Sequence, residues 1–286
     1  MRSRDAVVTR RVALIGKPLR RRHSQVMHDA AFDAAGIDGR YELMEIEPED
    51  VAAAVLAARE ADWLGLGVTA PYKRLVATLV DEVEPDAEVI GAVNNVVRTG
   101  EGRLVGFNSD APGFRAGVEF AMGGSLAGAS VAVAGAGGAA HAVVHACVAA
   151  GARRVTIGNR SAEAAGELAT RFGVEGGPLD GPEFEQALES ADLAVNATTV
   201  GMVDPGITID VARLPARATV FDLVYVPSET PLLVAERARG LRAANGSEML
   251  IQQAAIAFER WTGVGGMADV MRAAVAPLLA DPTVRA

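Results

Sequence analysis

The chain is 286 residues long, half of them hydrophobic and 22% charged. That argues against disorder as the dominant state and, at about 100–200 residues per domain, points to two domains. Acidic residues outnumber basic ones 36 to 27, for a net charge of -9, which argues against bulk attraction to nucleic acid or an anionic membrane, because phosphate binding needs a basic surface.

Residues 11–16, RVALIG, read as a buried strand. Ser24 is placed to cap the next helix, which carries Met27, Phe32 and Ala35 before Gly36 stops it. Residues 41–46 form a second strand, and Pro48 starts a helix through Val51, Val55 and Leu56. Residues 63–69 make a third strand, and Pro71 opens a helix over YKRLVATLVDEV. Residues 89–98 and 104–107 read as two strands around the turn Gly100-Glu101-Gly102. A helix from Pro112 to Met122 follows, then a Gly/Ser/Ala stretch. From Ser130 the pattern restarts: strand 130–134, helix 138–150, strand 154–158, helix 161–172, a Gly/Pro loop at 173–182, helix 183–190, and strands 192–197 and 219–224. This alternation predicts a parallel sheet with helices on both faces. Two helices close the chain after Gly246.

Two segments bear on location. The basic N-terminus has no apolar stretch of signal length behind it before Gly16 and Pro18. Residues 130–152 are apolar in bulk but hold Gly135, Gly137, Gly138, His141 and His145, so a strand, a turn and a helix explain them better than a membrane span. The single cysteine, Cys147, makes neither an internal disulfide nor a thiolate metal cage and fits a reducing, cytoplasmic setting. No cluster of residues reads as a metal site.

The clearest chemical signal is the run from Val131 into Gly135-Ala136-Gly137-Gly138-Ala139. A strand, a tight glycine turn and a helix start let a pyrophosphate approach the backbone and meet the free N–H groups of the first helical turn. The spacing is GxGGxx rather than GxGxxG, and an ordinary glycine-rich turn is the competing account. The next strand ends at Asn159-Arg160-Ser161. An NAD site usually has an acidic residue about 20 residues past the glycines, to accept from the ribose 2′-hydroxyl. Here Arg160 is placed to pair with a 2′-phosphate instead. NADP is therefore the expected cofactor, with NAD the alternative.

Taken in order, several further segments resemble the shikimate dehydrogenase family and its quinate dehydrogenase relatives. They are Gly16-Lys-Pro18 with Ser24 and His28; Val68-Thr69-Ala-Pro71-Tyr-Lys73; Gly91-Ala-Val-Asn94-Asn95; and Gly106-Phe-Asn108-Ser-Asp110. The glycine turn and residues 159–161 follow, then Asn196-Ala197-Thr198 with Gly201-Met202. Asp222-Leu-Val-Tyr225-Val-Pro227 with Thr230-Pro231-Leu232 comes next, and Gly246, Met249-Leu250 and Gln253 close the series. Each segment is short; together, in order and at compatible spacing, they cover nearly the whole chain. The resemblance implies an α/β fold of two domains. Residues 1–111 and 246–286 would form the substrate-binding domain, and residues 112–245 a Rossmann-like NADP-binding domain, with the C-terminal helices returning to the first. It implies a place in aromatic amino acid biosynthesis and leaves monomer or homodimer open.

The resemblance also assigns roles. Hydride transfer between a nicotinamide and a secondary alcohol needs a group to move the hydroxyl proton. Lys73 and Asp110 are the implied catalytic pair. Lys73 would move the proton; Asp110 would orient it and bond the adjacent hydroxyl. A structural Lys–Asp ion pair is the competing account. Thr69, Asn94 and Gln253 would bond ring hydroxyls, and Tyr225 and Met249 would line the cleft, Met249 near the nicotinamide. Gly135, Ala136, Gly137, Gly138, Ala139, Asn159, Arg160, Ser161, Ala197, Thr198 and Gly246 would complete the cofactor site. His28 reads as structural and His141 as helix surface.

Three positions depart from the family pattern. A Ser-x-Ser pair that binds the substrate carboxylate is here Arg22-His23-Ser24, the proline beside it is Gln25, and the asparagine before Val68-Thr69 is Gly67. Arg22 is able to clamp a carboxylate through two parallel hydrogen bonds. It takes more room, while Gly67 is expected to give some volume back. The expectation is therefore a dehydrogenase for a small-molecule cyclic hydroxy acid, either shikimate or an altered one such as quinate or an amino-substituted analogue. The contrary reading is a non-catalytic NADP-binding redox sensor.

Overall fold

The computed structural model describes residues 9–202 and 204–280; most of the basic N-terminal segment read above lies outside them. The chain divides into two compact units, one running through Ser109 and taking in Ala254–Ala276, the other holding Asp110–Gln253 and the described residues from Pro277.

The first unit contains β1 (Arg10–Gly16), α1 (His23–Ala35), β2 (Gly39–Glu45), α2 (Val51–Ala57), β3 (Trp63–Val68), α3 (Lys73–Ala77), β4 (Glu82–Val83), α4 (Pro85–Ile90), β5 (Asn95–Arg98) and β6 (Leu104–Phe107). Its six strands lie in the order β2-β1-β3-β5-β6-β4. β1 pairs in parallel with β2 and β3, whereas β5 is antiparallel to both β3 and β6. The β5–β6 hairpin closes where Thr99 N–H donates to Arg103 O at 2.8 Å and Gly102 supplies φ +80°.

Alternation along the strands splits the core into two layers. Ala13, Ile15, Leu66 and Val68 point to one face, against Val51, Val55 and Val76 of α2 and α3. The opposite face is aromatic: Phe32 meets Phe258 edge-on at 5.1 Å, and His28 stacks on Tyr41 at 4.4 Å. β3 carries glycine twice on that face. A Cβ at Gly65 would overlap the Val96 carbonyl oxygen and lie 2.7 Å from Trp261 Nε1, which itself donates to Val96 O at 2.9 Å. Only a bare Cα lets the tryptophan lie flat on the strand.

Four expectations are corrected here. Ser24 lies inside the first turn of α1; the position before the helix is Arg22, and no side chain caps it. The helix expected from Pro71 is short, because Asp81 takes the Leu104 N–H and Arg59 and draws the chain into β4 beside β6. Residues 85–90, overlapping the expected strand 89–98, are helical: Pro85 sits in the first turn with Asp86 and Glu88, and Gly91 ends the helix at φ 77°. The alternation also missed the strands Glu175–Pro178 and Arg242–Asn245 and the helix Pro231–Ala238, described next.

The second unit contains α5 (Asp110–Met122), β7 (Ser130–Ala134), α6 (Gly138–Ala149), β8 (Arg154–Asn159), α7 (Ala162–Phe172), β9 (Glu175–Pro178), α8 (Pro182–Ser190), β10 (Leu193–Asn196), β11 (Thr219–Asp222), α9 (Pro231–Ala238) and β12 (Arg242–Asn245). Two helices follow, α10 (Ser247–Thr262) and α11 (Ala268–Ala280). All five strand pairings in this unit are parallel, in the order β12-β11-β10-β7-β8-β9. Successive strands move outward one way from β7 and then, from β10, the other way. That reversal makes a switch point at the carboxyl ends of β7 and β10, the place where open α/β sheets bind ligands. The apolar stretch 130–152 is resolved into β7, a turn and α6, and no helix among the described residues is long and apolar enough to cross a membrane.

Candidate active site

The glycine turn sits at the switch point. Gly135 takes φ +116°, and a Cβ there would come within 2.9 Å of the Ala197 carbonyl oxygen and of Thr198 Cγ2. A side chain would be both strained and blocked. Gly137 and Gly138 differ: nothing lies within 4 Å of where their Cβ atoms would be. Their bare backbone therefore faces open space. Gly138 begins a 12-residue helix with no side-chain cap and no acidic residue in its first turn. The first N–H groups of α6, with Ala139 beside them, are left for an anion.

The end of β8 fits the rest of a dinucleotide. Asn159 Nδ2 donates to Ser161 O at 3.1 Å, and Ser161 caps α7 by accepting the Ala164 N–H at 3.2 Å. Arg160, between them, is exposed and has no ion-pair partner among the described residues. With Asn159, Arg160 and Ser161 and no carboxylate at this strand end, the residues fit a ribose bearing a 2′-phosphate. Ala136 completes the turn.

Across the switch point, buried Asn196 organises the end of β10. Its Oδ1 accepts from Thr198 N (3.1 Å), Thr198 Oγ1 (2.7 Å) and Thr208 Oγ1 (3.1 Å), while Nδ2 donates to Asp222 Oδ1 at 2.8 Å. Asp222 also takes the Thr230 hydroxyl at 2.6 Å and the Val224 N–H at 3.1 Å. This fixes the segment after β11 that carries Tyr225. Gly246 lets β12 close on the same segment, since a Cβ would overlap the Leu223 carbonyl. Gly113 and Gly117 of α5 do the same for α10, bringing backbone against Gln253 and Met249. Gln253 Nε2 donates within its helix to Leu250 O at 3.0 Å.

Behind this network Glu236 is fully buried on α9, and neither carboxyl oxygen has a hydrogen-bond partner among the described residues. Burial, with the nearby Asp222 charge adding to it, pushes its pKa up to about 8 from 4.5. Between those values the folded protein holds a proton that the unfolded chain has released. Stability therefore falls as pH rises from about 4.5 to 8, with a slope from this group approaching about 1.4 kcal/mol per pH unit. Urea unfolding of the parent and of Glu236→Gln across pH 5–8 checks this: the variant is expected to lose that slope, and an unchanged slope contradicts the assignment.

In the first unit, backbone hydrogen bonds gather Thr69, Lys73 and Asn94 at the carboxyl ends of β1 and β3. Thr69 N donates to Ile15 O (2.9 Å), Val68 N to Asn94 O (2.8 Å) and Val93 N to Lys73 O (3.0 Å). Lys73 opens α3 and is half-buried. Asn94 is 5% exposed and well held: Oδ1 accepts from Ser109 N and Asn95 Nδ2, both at 2.8 Å, and Nδ2 donates to Ser109 Oγ at 3.2 Å. Asn95 and Ser109, which the sequence reading passed over, thus position Asn94, and Ser109 directly precedes Asp110 at the start of α5.

Arg22 is exposed and its Nε donates to Gln25 Oε1 at 3.0 Å; Ser24 lies within the first turn of α1. The volume expected to open at Gly67 is not free. Tyr41 Oη lies 2.6 Å from where a Gly67 Cβ would be, so the phenol already fills that space. His28 is buried and its pKa is pushed down to about 3 by desolvation, so it is a neutral core ring, as expected. His141 packs edge-on against Phe172 at 6.4 Å, in keeping with a helix-surface role.

Comparison with known proteins matches three stretches of the chain to one family. Residues 14–96 match the shikimate dehydrogenase substrate-binding domain, residues 119–203 the shikimate/quinate 5-dehydrogenase model, and residues 246–276 the shikimate 5′-dehydrogenase C-terminal domain. Shikimate dehydrogenase (NADP(+)) of Geobacter metallireducens is 40% identical over 92% of this chain and 95% of its own length. The crystal structure of the Thermus thermophilus shikimate 5-dehydrogenase, in complex with NADP(H) and shikimate, is 37% identical. It superposes with a TM-score of 0.85 over 94% of this chain and 99% of that one. Quinate dehydrogenase from Corynebacterium glutamicum, in complex with NAD, is 34% identical, with a TM-score of 0.86 over 94% of this chain and 99% of that one. A glycine turn open to an anion, two ionisable residues on matching motifs and identity sustained from end to end place the chain in the shikimate dehydrogenase family.

Proposed function

We propose that this chain catalyses reversible hydride transfer between NADP and a carboxylate-bearing cyclic hydroxy acid, shikimate or a close analogue, in the cytoplasm. What carries the reading is that Lys73 and Asp110 are both retained on their motifs while the chain is 40% identical to an NADP-dependent shikimate dehydrogenase over 92% of its length. Bound NADP supplies the hydride acceptor, and in the reverse direction the donor. Gly135 through Ala139 would hold its pyrophosphate, Arg160 with Asn159 and Ser161 its 2′-phosphate, and Ala197, Thr198, Gly246 and Met249 its nicotinamide half.

This chain's own residues then manage the alcohol. Lys73 takes the hydroxyl proton as the carbonyl forms and returns it to the alkoxide in the reducing direction. Asp110 bonds the neighbouring hydroxyl. Thr69 and Gln253 bond ring hydroxyls, while Asn94, with its oxygen already occupied, offers its remaining N–H. Arg22, Ser24 and Tyr225 receive the carboxylate, and a guanidinium in place of a serine hydroxyl favours an acid with a more anionic edge.

Initial rates of NADP⁺ reduction with a panel of cyclic hydroxy acids test the proposal. Turnover of at least one of them, with NADP⁺ preferred to NAD⁺, is expected. Cofactor binding without turnover across the panel supports the sensor reading instead.

A further inference from the structure

Tyr41 is only 3% exposed, yet its hydroxyl makes no hydrogen bond with any described residue. Its backbone, by contrast, is pinned from both sides by α1: Gln25 Nε2 donates to Tyr41 O at 3.1 Å, and Tyr41 N donates to Asp29 Oδ1 at 3.0 Å. The ring is fixed as well, stacked on His28 at 4.4 Å and tilted against Trp261 at 6.1 Å. A rigidly held phenol whose polar tip has no partner among the described residues is poised for a ligand.

Register shows where the tip goes. Tyr41 pairs with Val12, while Gly67 pairs with Leu14, two residues further along β1. Tyr41 Oη nevertheless lies beside Gly67, so the ring leans toward the carboxyl ends of the strands, where Gly16 and Thr69 meet. Leu14, on the same face, is only half-buried. Gln25 joins this corner to the rim: the residue that holds the Tyr41 carbonyl also accepts from Arg22 Nε.

We infer that the Tyr41 hydroxyl is a specificity-determining group that bonds a hydroxyl of the substrate ring, and that Gly67 is bare so that the phenol reaches it. The inference rests on the reading of this unit as the ring-acid side of a dehydrogenase. Arg22 takes the charged end of the acid, and Tyr41, tied to it through Gln25, reads the polar edge. A phenol donates and accepts once each at a fixed point, so it discriminates for a hydroxyl and against its deoxy analogue.

Tyr41→Phe tests this with two measurements. For the ring acid that the parent enzyme oxidises best, kcat/KM is expected to fall by about ten- to a hundredfold, chiefly through KM, the range for an unmatched hydroxyl. For that acid's deoxy analogues, taken one ring position at a time, one is expected to show a fall of no more than about threefold, because it has no group to lose. Without ligand, the melting temperature is expected to hold or rise, since the hydroxyl deleted has no hydrogen-bond partner among the described residues. Gly67→Ala, which drives a methyl against the phenol, is expected to reproduce the loss and to add little when combined with Tyr41→Phe.

An equal fall for the parent acid and every deoxy analogue, or no fall at all, overturns the inference while leaving the dehydrogenase reading intact. A large drop in melting temperature overturns it too, by assigning Tyr41 a structural role. A parent enzyme that oxidises no ring acid removes the reading and the inference together.

Discussion

Lys73→Ala is expected to lower kcat for NADP⁺-dependent oxidation of the ring acid by about 10²–10⁴-fold, the range that positioned proton transfer supplies. KM is expected to move far less, because Thr69, Asn94 and Arg22 still hold the acid. Lys73 opens α3, and its backbone carbonyl accepts the Val93 N–H, a bond that alanine keeps. The side chain is half-buried, and alanine is a good helix former. A melting temperature within a few degrees of the parent, together with the lost rate, separates chemistry from folding. Asp110→Asn keeps the shape but removes the second charge of the proposed catalytic pair, so a smaller loss in kcat is expected. Full activity in both variants contradicts the assigned pair.

The second large effect concerns the cofactor. Arg160→Glu is expected to lower kcat/KM for NADP⁺ by on the order of a hundredfold, since it removes a charge-assisted bond and adds a repulsion against a 2′-phosphate. The rate with NAD⁺ should change little or improve, because a carboxylate at this strand end accepts from a free ribose hydroxyl. Arg160 is exposed and has no ion-pair partner among the described residues, so no internal contact is lost to blur the reading. Steady-state rates with both cofactors check it; equal losses for the two would show that Arg160 does not read the 2′ position.

The second unit was the more legible in sequence because each parallel strand is short, apolar and followed by a helix. Ser130–Ala134 is buried throughout, and the glycine turn stands between strand and helix where the pattern put it. β9 and β12 were not readable. Glu175-Gly-Gly-Pro178 and Arg242-Ala-Ala-Asn245 are edge strands without β-branched or aromatic residues, ordered by the neighbours they pair with. α9 was announced by Thr230-Pro231, a cap and first-turn pair whose threonine accepts the Leu233 N–H, but that signal was absorbed into a motif. In the first unit, β-branched Val89 and Ile90 favoured a strand, whereas Pro85, Asp86 and Gly91 made the segment a helix.

The candidate site divides in the same way. The glycine turn follows from residue type and spacing, whereas Lys73 and Asp110 are singled out by the resemblance of their motifs to the family. Tyr41 does not, because its role depends on a ring crossing β1 to reach a glycine on β3, a relation that exists only once the register is set. Asn196 with Asp222, and Asn95 with Ser109, were visible as residues in motifs but not as the groups that hold Thr198 and Asn94 in place.

The most direct test of hydride transfer repeats the NADP⁺-reduction assay with the acid deuterated at its carbinol carbon. The account predicts NADPH carrying one deuterium on the nicotinamide and a ring ketone as product. NADPH free of deuterium, or ketone formed without reduction of the cofactor, would contradict it.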